Sequence, residues 1–165
     1  MFDAYLQIDG IKGESQEDKH ADWIEVLSFN HHISQPTSST RSSSGGGSTG
    51  ASEHGDIFVT KFVDMASPKL HDAVSTGKHF KKAVLEFFRQ GGGSKVKYLA
   101  INLEEVIISS VVSDGHGKGD AELPTETVGL NYGKIEWVYT QQKRQDGSGG
   151  GNVTAKYDLT KAKGA

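Results

Sequence analysis

Apolar and polar residues alternate strictly near both ends of this chain. Phe2, Ala4, Leu6 and Ile8 interleave with Asp3, Tyr5, Gln7 and Asp9, and Val153, Ala155, Tyr157 and Leu159 interleave with Thr154, Lys156, Asp158 and Thr160. A period of two sends one set of side chains to each face of an extended strand. A half-buried strand is therefore expected close to each terminus, and the fold must provide a sheet for both.

The stretches between them read mostly the same way. Trp23–Ile33 predicts one strand, with Trp23, Leu27, Phe29 and Ile33 on the odd face. Its even face starts with Ile24 and Val26 and turns polar at Ser28, Asn30 and His32. Asp56–Met65 carries Ile57, Val59 and Val63 on one face and Phe58 and Phe62 on the other, so it is expected to be buried on both sides. In the run 67–77, Ser67 suits an N-cap, Pro68 the first helical position and Gly77 the position past the end, which predicts a short amphipathic helix over 68–76. His79–Arg89 fits a helical stripe (Phe80, Val84, Phe87, Phe88) and a strand (Ala83, Leu85, Phe87) equally well, and periodicity does not choose between them. Long β-rich segments follow at 95–112, 125–132 and 134–140. The expected fold is mainly β: a two-sheet barrel or sandwich of about eight strands with one short flanking α-helix.

Such a fold is interrupted by "TSSTRSSSGGGSTGAS", Thr37–Ser52, in which fourteen of sixteen residues are Ser, Thr or Gly. A stretch this polar buries too little to offset its ordering entropy, so an extended loop is expected over 35–55 in a single domain spanning 1–165. Two further Gly/Ser segments, 113–120 and 145–152, help hold the apolar fraction to 35%. The core is thin for the chain length, which points to further burial between copies.

Composition excludes several function classes. The net charge is −3 and no Lys/Arg cluster stands out, so no nucleic-acid partner is expected. No apolar run is long enough to span a bilayer, and residues 1–20 lack the apolar core of a Sec signal. With no cysteine, the chain has no disulfide, thiolate nucleophile or Cys-bound zinc. The glycines of Gly45-Gly46-Gly47-Ser48-Thr49-Gly50 match a dinucleotide fingerprint, but a Ser/Gly tract precedes them and a strand follows, the wrong context for a phosphate-binding turn. His31 and His32 are adjacent, so on a strand they point apart and cannot easily share a metal ion. His20, His54, His71, His79 and His116 fall near turns or element ends, where solvated histidines are common. Glu104 and Glu105 also point apart, and Glu105 reads as an inward charge paired to Lys61 or Lys97. No catalytic, cofactor or metal constellation emerges. An open β-domain can instead present its edges to further copies, and a head-to-tail contact makes a ring when its rotation closes.

Several segments together carry a family resemblance: "IDGIKGES" at 8–15, "HADWIEVLSF" at 20–29, "VTKFVDMASPKL" at 59–70, "GKHF" at 77–80, "YLAINLEEVIISSV" at 98–111 and "TETVGLNYGKIEWVY" at 125–139. In this order and spacing, with the Ser/Gly tract between the second and third, the chain resembles the Hcp family, the tube proteins of bacterial type VI secretion systems. The resemblance implies a β-barrel with a flanking helix, homohexameric rings stacked into a hollow tube, and a strand over 80–89. It implies a sheath around the tube, a spike protein at its tip and small effector proteins as partners, with export from the cytoplasm to the extracellular space that needs no Sec signal. On this reading Ser28 and Asn30 face the lumen, and the loop holding Arg41, Ser43, Gly45, Gly46 and Gly47 reaches a neighbouring ring. The chain is then a structural subunit and not an enzyme. The competing readings are a monomeric β-sandwich that binds a ligand or surface, and a secreted enzyme with an unrecognised site.

Overall fold

The computed structural model describes residues 2–37, 50–91, 94–117, 123–143 and 149–164. Ten strands and one helix follow in chain order: β1 Asp3–Ile8, β2 Ile24–Val26, β3 Ser28–Ser34, β4 Glu53–Phe62, α1 Ser67–Thr76, β5 His79–Gly91, β6 Ser94–Asp114, β7 Thr125–Asn131, β8 Lys134–Gln142, β9 Gly149–Asp158 and β10 Lys163–Gly164. The fold is mainly β with one short helix, as the alternation requires, and His79–Gly91 is a strand. Every ladder is antiparallel.

The strands form one branched, open sheet that folds over on itself. One arm runs β10-β9-β8-β6-β5-β1-β2, and the other runs β6-β7-β4-β3. The junction is β6, which is 21 residues long. Its first half, Leu99–Glu104, pairs with β8, and its second half, Ile107–Asp114, pairs with β7. The corner between them is Glu105, whose φ is +55°. The Gly133 amide, in the turn joining β7 to β8, donates to the carbonyls of Glu104 (3.0 Å) and Glu105 (3.2 Å) and pins the bend.

That corner also resets which residues face inward. Ile101 and Leu103 are buried before it, and Val106 and Ile108 after it, while Glu105 is exposed. The expectation that Glu105 points inward is therefore corrected: one residue in the left-handed region shifts the parity of the strand. Left-handed backbone costs a β-branched residue most. Glu105→Val is expected to lower the unfolding free energy by about 1–2 kcal/mol, and Glu105→Asn to leave it nearly unchanged; urea titration of the two variants checks both.

A second parity reset splits the expected Trp23–Ile33 strand at Leu27. Ile24–Val26 pairs with β1, whereas Ser28–Ser34 pairs with β4. The chain crosses from one arm to the other here, and the Leu27 amide donates to the Thr60 carbonyl at 2.8 Å. Ile24 and Val26 are buried before Leu27, whereas after it Ser28 and Asn30 are exposed and Phe29 packs its ring against Phe87.

The core lies between the two arms. It joins Leu6, Ile8, Ile24, Ile57, Val59, Leu85, Phe87, Ile101, Leu103, Val128 and Leu130, with Leu70 and Ala73 of α1 closing it. Gly77 ends α1 in the left-handed region, φ +64°, as its position in the sequence predicts. Ser67 does not cap the helix through its side chain. Ala66 occupies the cap position, and the Asp64 carboxylate accepts from the Ala66 amide at 2.9 Å.

Candidate functional site

The arm β6-β7-β4-β3 has one face on the core and one face open. Ile57 and Val59 of β4 and Val128 and Leu130 of β7 point inward and are fully buried. Phe58 and Phe62 point the other way and are 39% and 41% exposed, so β4 is not buried on both sides. The pattern of β4 resembled a doubly covered strand because its open face carries aromatics in place of the usual polar residues.

Register fixes the make-up of this open face. Asn30 lies opposite Phe58, which lies opposite Gly129, which lies opposite Ser110. In the next rung Ser28, Thr60, Thr127 and Val112 stand in line, and Thr60 and Thr127 share a hydroxyl hydrogen bond at 3.3 Å. Beyond it, Phe62, Thr125 and Asp114 complete a third rung. Ser28 and Asn30 thus sit on the exposed face, side by side with Phe58, because the parity reset at Leu27 turns them outward. Gly129 is required where it is: a Cβ there would lie 2.6 Å from Ser110 Oγ and 3.1 Å from the Phe58 ring. The two central rungs carry hydroxyls, one amide and apolar groups and no formal charge.

Both edges of this arm are unpaired among the described residues. β3 pairs only with β4. On β6, pairing with β5 stops at Ile107, so the outer edge from Ile108 onward has no strand beside it. The edges differ in sequence and surroundings. Leu27, Phe29 and Ile33 are exposed along β3, and Val112, 61% exposed, stands on β6. A large apolar surface left open next to a free strand edge marks a site of association. The inner face of β8–β9 adds Tyr139 and Val153, both exposed, where the alternation of the last strand runs past the reach of the core.

Behind the open face, the rung Lys61–Glu126 points into the core. Lys61 Nζ lies 2.5 Å from Glu126 Oε1, 2.8 Å from Asp64 Oδ1 and 3.2 Å from Ser67 Oγ, and it donates to the Phe62 carbonyl at 2.8 Å. The Ser67 hydroxyl donates to the same Glu126 oxygen at 2.5 Å. Lys61 therefore pairs with Glu126 and Asp64 and not with Glu105, and the network bolts the start of α1 to β4 and β7. The second Glu126 oxygen has no hydrogen bond and lies 3.6 Å from His71 Nε2.

His20 is likewise not a solvated histidine. It is buried, with its ring against Tyr5, Trp23 and Phe88, and its nitrogens meet the carboxylates of Glu17 and Glu86 (2.7 Å to Glu86). The bond to His20 holds the Glu17 carboxyl below the usual glutamate value. The sequence signal for this site is weak, since Glu86 is 66 residues away.

No group of three or more His, Asp or Glu side chains among the described residues could hold a metal ion. No helix among them is long and apolar enough to cross a membrane. The loop residues Arg41, Ser43, Gly45, Gly46 and Gly47 lie outside the described residues.

Comparison with known proteins gives a consistent result. A family model described as "Type VI secretion system effector, Hcp" matches residues 5–139. The chain is 38% identical over 157 residues to protein hcp1 of Pseudomonas aeruginosa, a match covering 95% of this chain and 94% of that one. It is 28% identical over 155 residues to the major exported protein of the same organism, covering 82% and 88%. A solved structure of a type six secretion system protein superposes with a TM-score of 0.92 at 32% identity, over 100% of both chains.

Proposed function

Since the chain belongs to the Hcp family and is a type VI secretion tube protein, we propose that its copies close head to tail into hexameric rings through the two free edges of the β6-β7-β4-β3 arm. The β3 edge of one copy meets the outer edge of β6 on the next. The observation that carries this reading is the unlikeness of the two edges, β3 with Leu27, Phe29 and Ile33 and β6 with Val112. Unlike edges make a heterologous contact, which forms a ring when its rotation closes. Closing it joins the open faces of successive copies into one inner wall.

On this reading Ser28, Asn30, Phe58, Thr60 and Thr127 line the lumen. Hydroxyl and amide groups keep that wall wet, and Phe58 gives an effector protein something to rest on in rungs that carry no fixed charge. The loop with Arg41, Ser43, Gly45, Gly46 and Gly47 is assigned to the contact with the neighbouring ring. The sheath, the spike protein and small effectors are the further partners. The chain acts as a single structural domain over 1–165 with no catalytic role. It waits in the cytoplasm before export, in keeping with its similarity to a major exported protein.

Native mass spectrometry tests the proposal. The expected species is six times the 17.7 kDa chain. Asn30→Trp, which places a bulky ring on the open face, is expected to keep that mass while reducing retention of co-expressed effector. A wild-type monomer would favour the β-sandwich binding module, and dissociated Asn30→Trp rings would move Asn30 from the lumen to a contact between copies.

A further inference from the structure

Outside the open face and the core, one polar cluster is unexplained by assembly. The Tyr132 hydroxyl is buried at the end of β7, where the two arms meet. Two histidines from neighbouring strands of the same arm converge on it: His31 Nε2 of β3 at 2.8 Å and His54 Nδ1 of β4 at 2.8 Å. Behind them stand rings from β8 and β9. His31 stacks on Trp137, with centroids 6.5 Å apart, and His54 on Tyr157 at 4.8 Å. The Tyr157 hydroxyl in turn accepts from Ser52 Oγ at 3.3 Å. Just outside, Gln35 Nε2 donates to the carbonyls of Gly50 (2.5 Å) and Pro36 (3.3 Å), so the two chain legs that leave β3 and enter β4 are tied to each other.

Hydrogen-bond accounting gives this cluster a direction. A phenol has one proton to donate, and its oxygen can accept. Of the two ring nitrogens that meet Tyr132, only one can accept the phenol proton, and the other satisfies the oxygen by donating to it. The chain then runs one way. The latch takes the order in which His54 Nδ1–H donates to the Tyr132 oxygen and Tyr132 O–H donates to His31 Nε2. A proton added to His31 must go on Nε2, where it meets the Tyr132 O–H. Two donors then face each other beside the buried phenol, and its proton loses its acceptor.

We propose that the His54–Tyr132–His31 chain is an acid-operated latch, holding the legs at 34–37 and 50–53 against β8–β9 when neutral and releasing them when His31 takes up a proton. Burial and the nearby His54 charge hold His31 below the ordinary histidine value, and burial does the same to His54. Burial and the Asp56 carboxylate push the Tyr132 phenol up, so it keeps its proton across the working range. The sign follows from the lowered histidines. A folded-state value below the unfolded one means the latch contributes fully above the ordinary histidine pKa of about 6.5 and fades as pH falls towards the lowered values. The ionisable groups around the pair are His32 beside His31 on β3, Glu53 and Asp56 on β4, and the Tyr157 phenol on β9; β8 brings only the Trp137 indole. Asp56 is occupied by Asn131 Nδ2 at 2.9 Å. Among the described residues no carboxylate lies within ion-pair distance of either histidine to stabilise a charge there.

Hydrogen exchange on the full-length protein tests the latch, using protection factors corrected for intrinsic rates. Between about pH 7.5 and about pH 5, protection of the amides of residues 53–57 is expected to fall about tenfold for each unit by which His31 is held below its ordinary value. Amides of the central strand pair β5–β6 are expected to hold steady over the same range. His31→Phe keeps a flat ring beside Trp137 and has no proton to gain, and His31→Gln keeps an acceptor for the phenol. Each is expected to remove the part of the pH-dependent fall that His31 carries, leaving only that of His54, and either one suffices if the other does not fold. Flat wild-type protection at 53–57 would overturn the proposal, as would the same fall persisting in a folded His31 variant.

Discussion

Lys61→Met is expected to cost the fold about 3–5 kcal/mol, the usual penalty for stripping one partner from a buried ion pair. Lys61 and Glu126 are both fully buried, and Lys61 is the cation within hydrogen-bond distance of the Glu126 carboxylate. Without it that carboxylate faces Ser67, which supplies one O–H, and a half-exposed His71. The loss should be read in urea unfolding, as a lower midpoint with an unchanged slope. Lys61→Met combined with Glu126→Leu removes the stranded charge as well, and the pair is expected to recover most of the deficit, since well-packed apolar replacements of buried ion pairs are often near neutral. A double variant as unstable as the single one would mean that the bonds from Ser67 and Asp64 to the pair carry the stability. The exposed Lys12–Asp22 pair, at 3.1 Å, is the control. Breaking it is expected to change stability by at most about 1 kcal/mol.

Phe87→Ala is the second large effect. Phe87 is buried on β5, and its ring meets Phe29 at 4.7 Å, Phe2 at 5.7 Å and Tyr98 at 6.5 Å between centroids. Truncation leaves a cavity among three aromatic neighbours and is expected to cost about 3–5 kcal/mol. Phe29 belongs to β3, whose inward side chains are otherwise only partly covered. Phe87 is thus the prop under one of the two proposed ring edges. Beyond the lower unfolding midpoint, the variant is expected to show weaker rings in native mass spectrometry at temperatures where the chain is still folded. Normal ring stability at equal folded fraction would separate β3 from the contact between copies.

The sequence disclosed what local pattern controls. The alternation at Ala4, Leu6 and Ile8 places these residues inside because no backbone irregularity intervenes. Pro68 and Gly77 bracket α1 because a helix start and a helix stop each depend on the dihedrals of one residue. Four features are hidden for a common reason, that nothing within a few residues specifies them. The breaks at Leu27 and Glu105 are crossings between arms, and Glu105 is not a residue type that advertises a positive φ. The Lys61–Glu126 rung joins residues 65 apart, and the bond from His20 to Glu86 joins residues 66 apart. Ser28 and Asn30 are polar positions on the even face of the single strand that the alternation over Trp23–Ile33 predicts. They do lie on an exposed face, but the cause is the parity change at Leu27. The aromatic character of that face, Phe58 and Phe62, was read as burial because hydrophobicity alone does not distinguish a covered face from one left open.

β6 belongs to both arms, and this has a mechanical consequence. In most sandwiches the two layers touch only through side chains, and shear between them is resisted by packing alone. Here an unbroken backbone passes from one layer into the other at Glu105, clamped by the Gly133 amide. Shear of the β3–β4 side against the β8–β9 side is therefore opposed by the backbone itself as well as by packing.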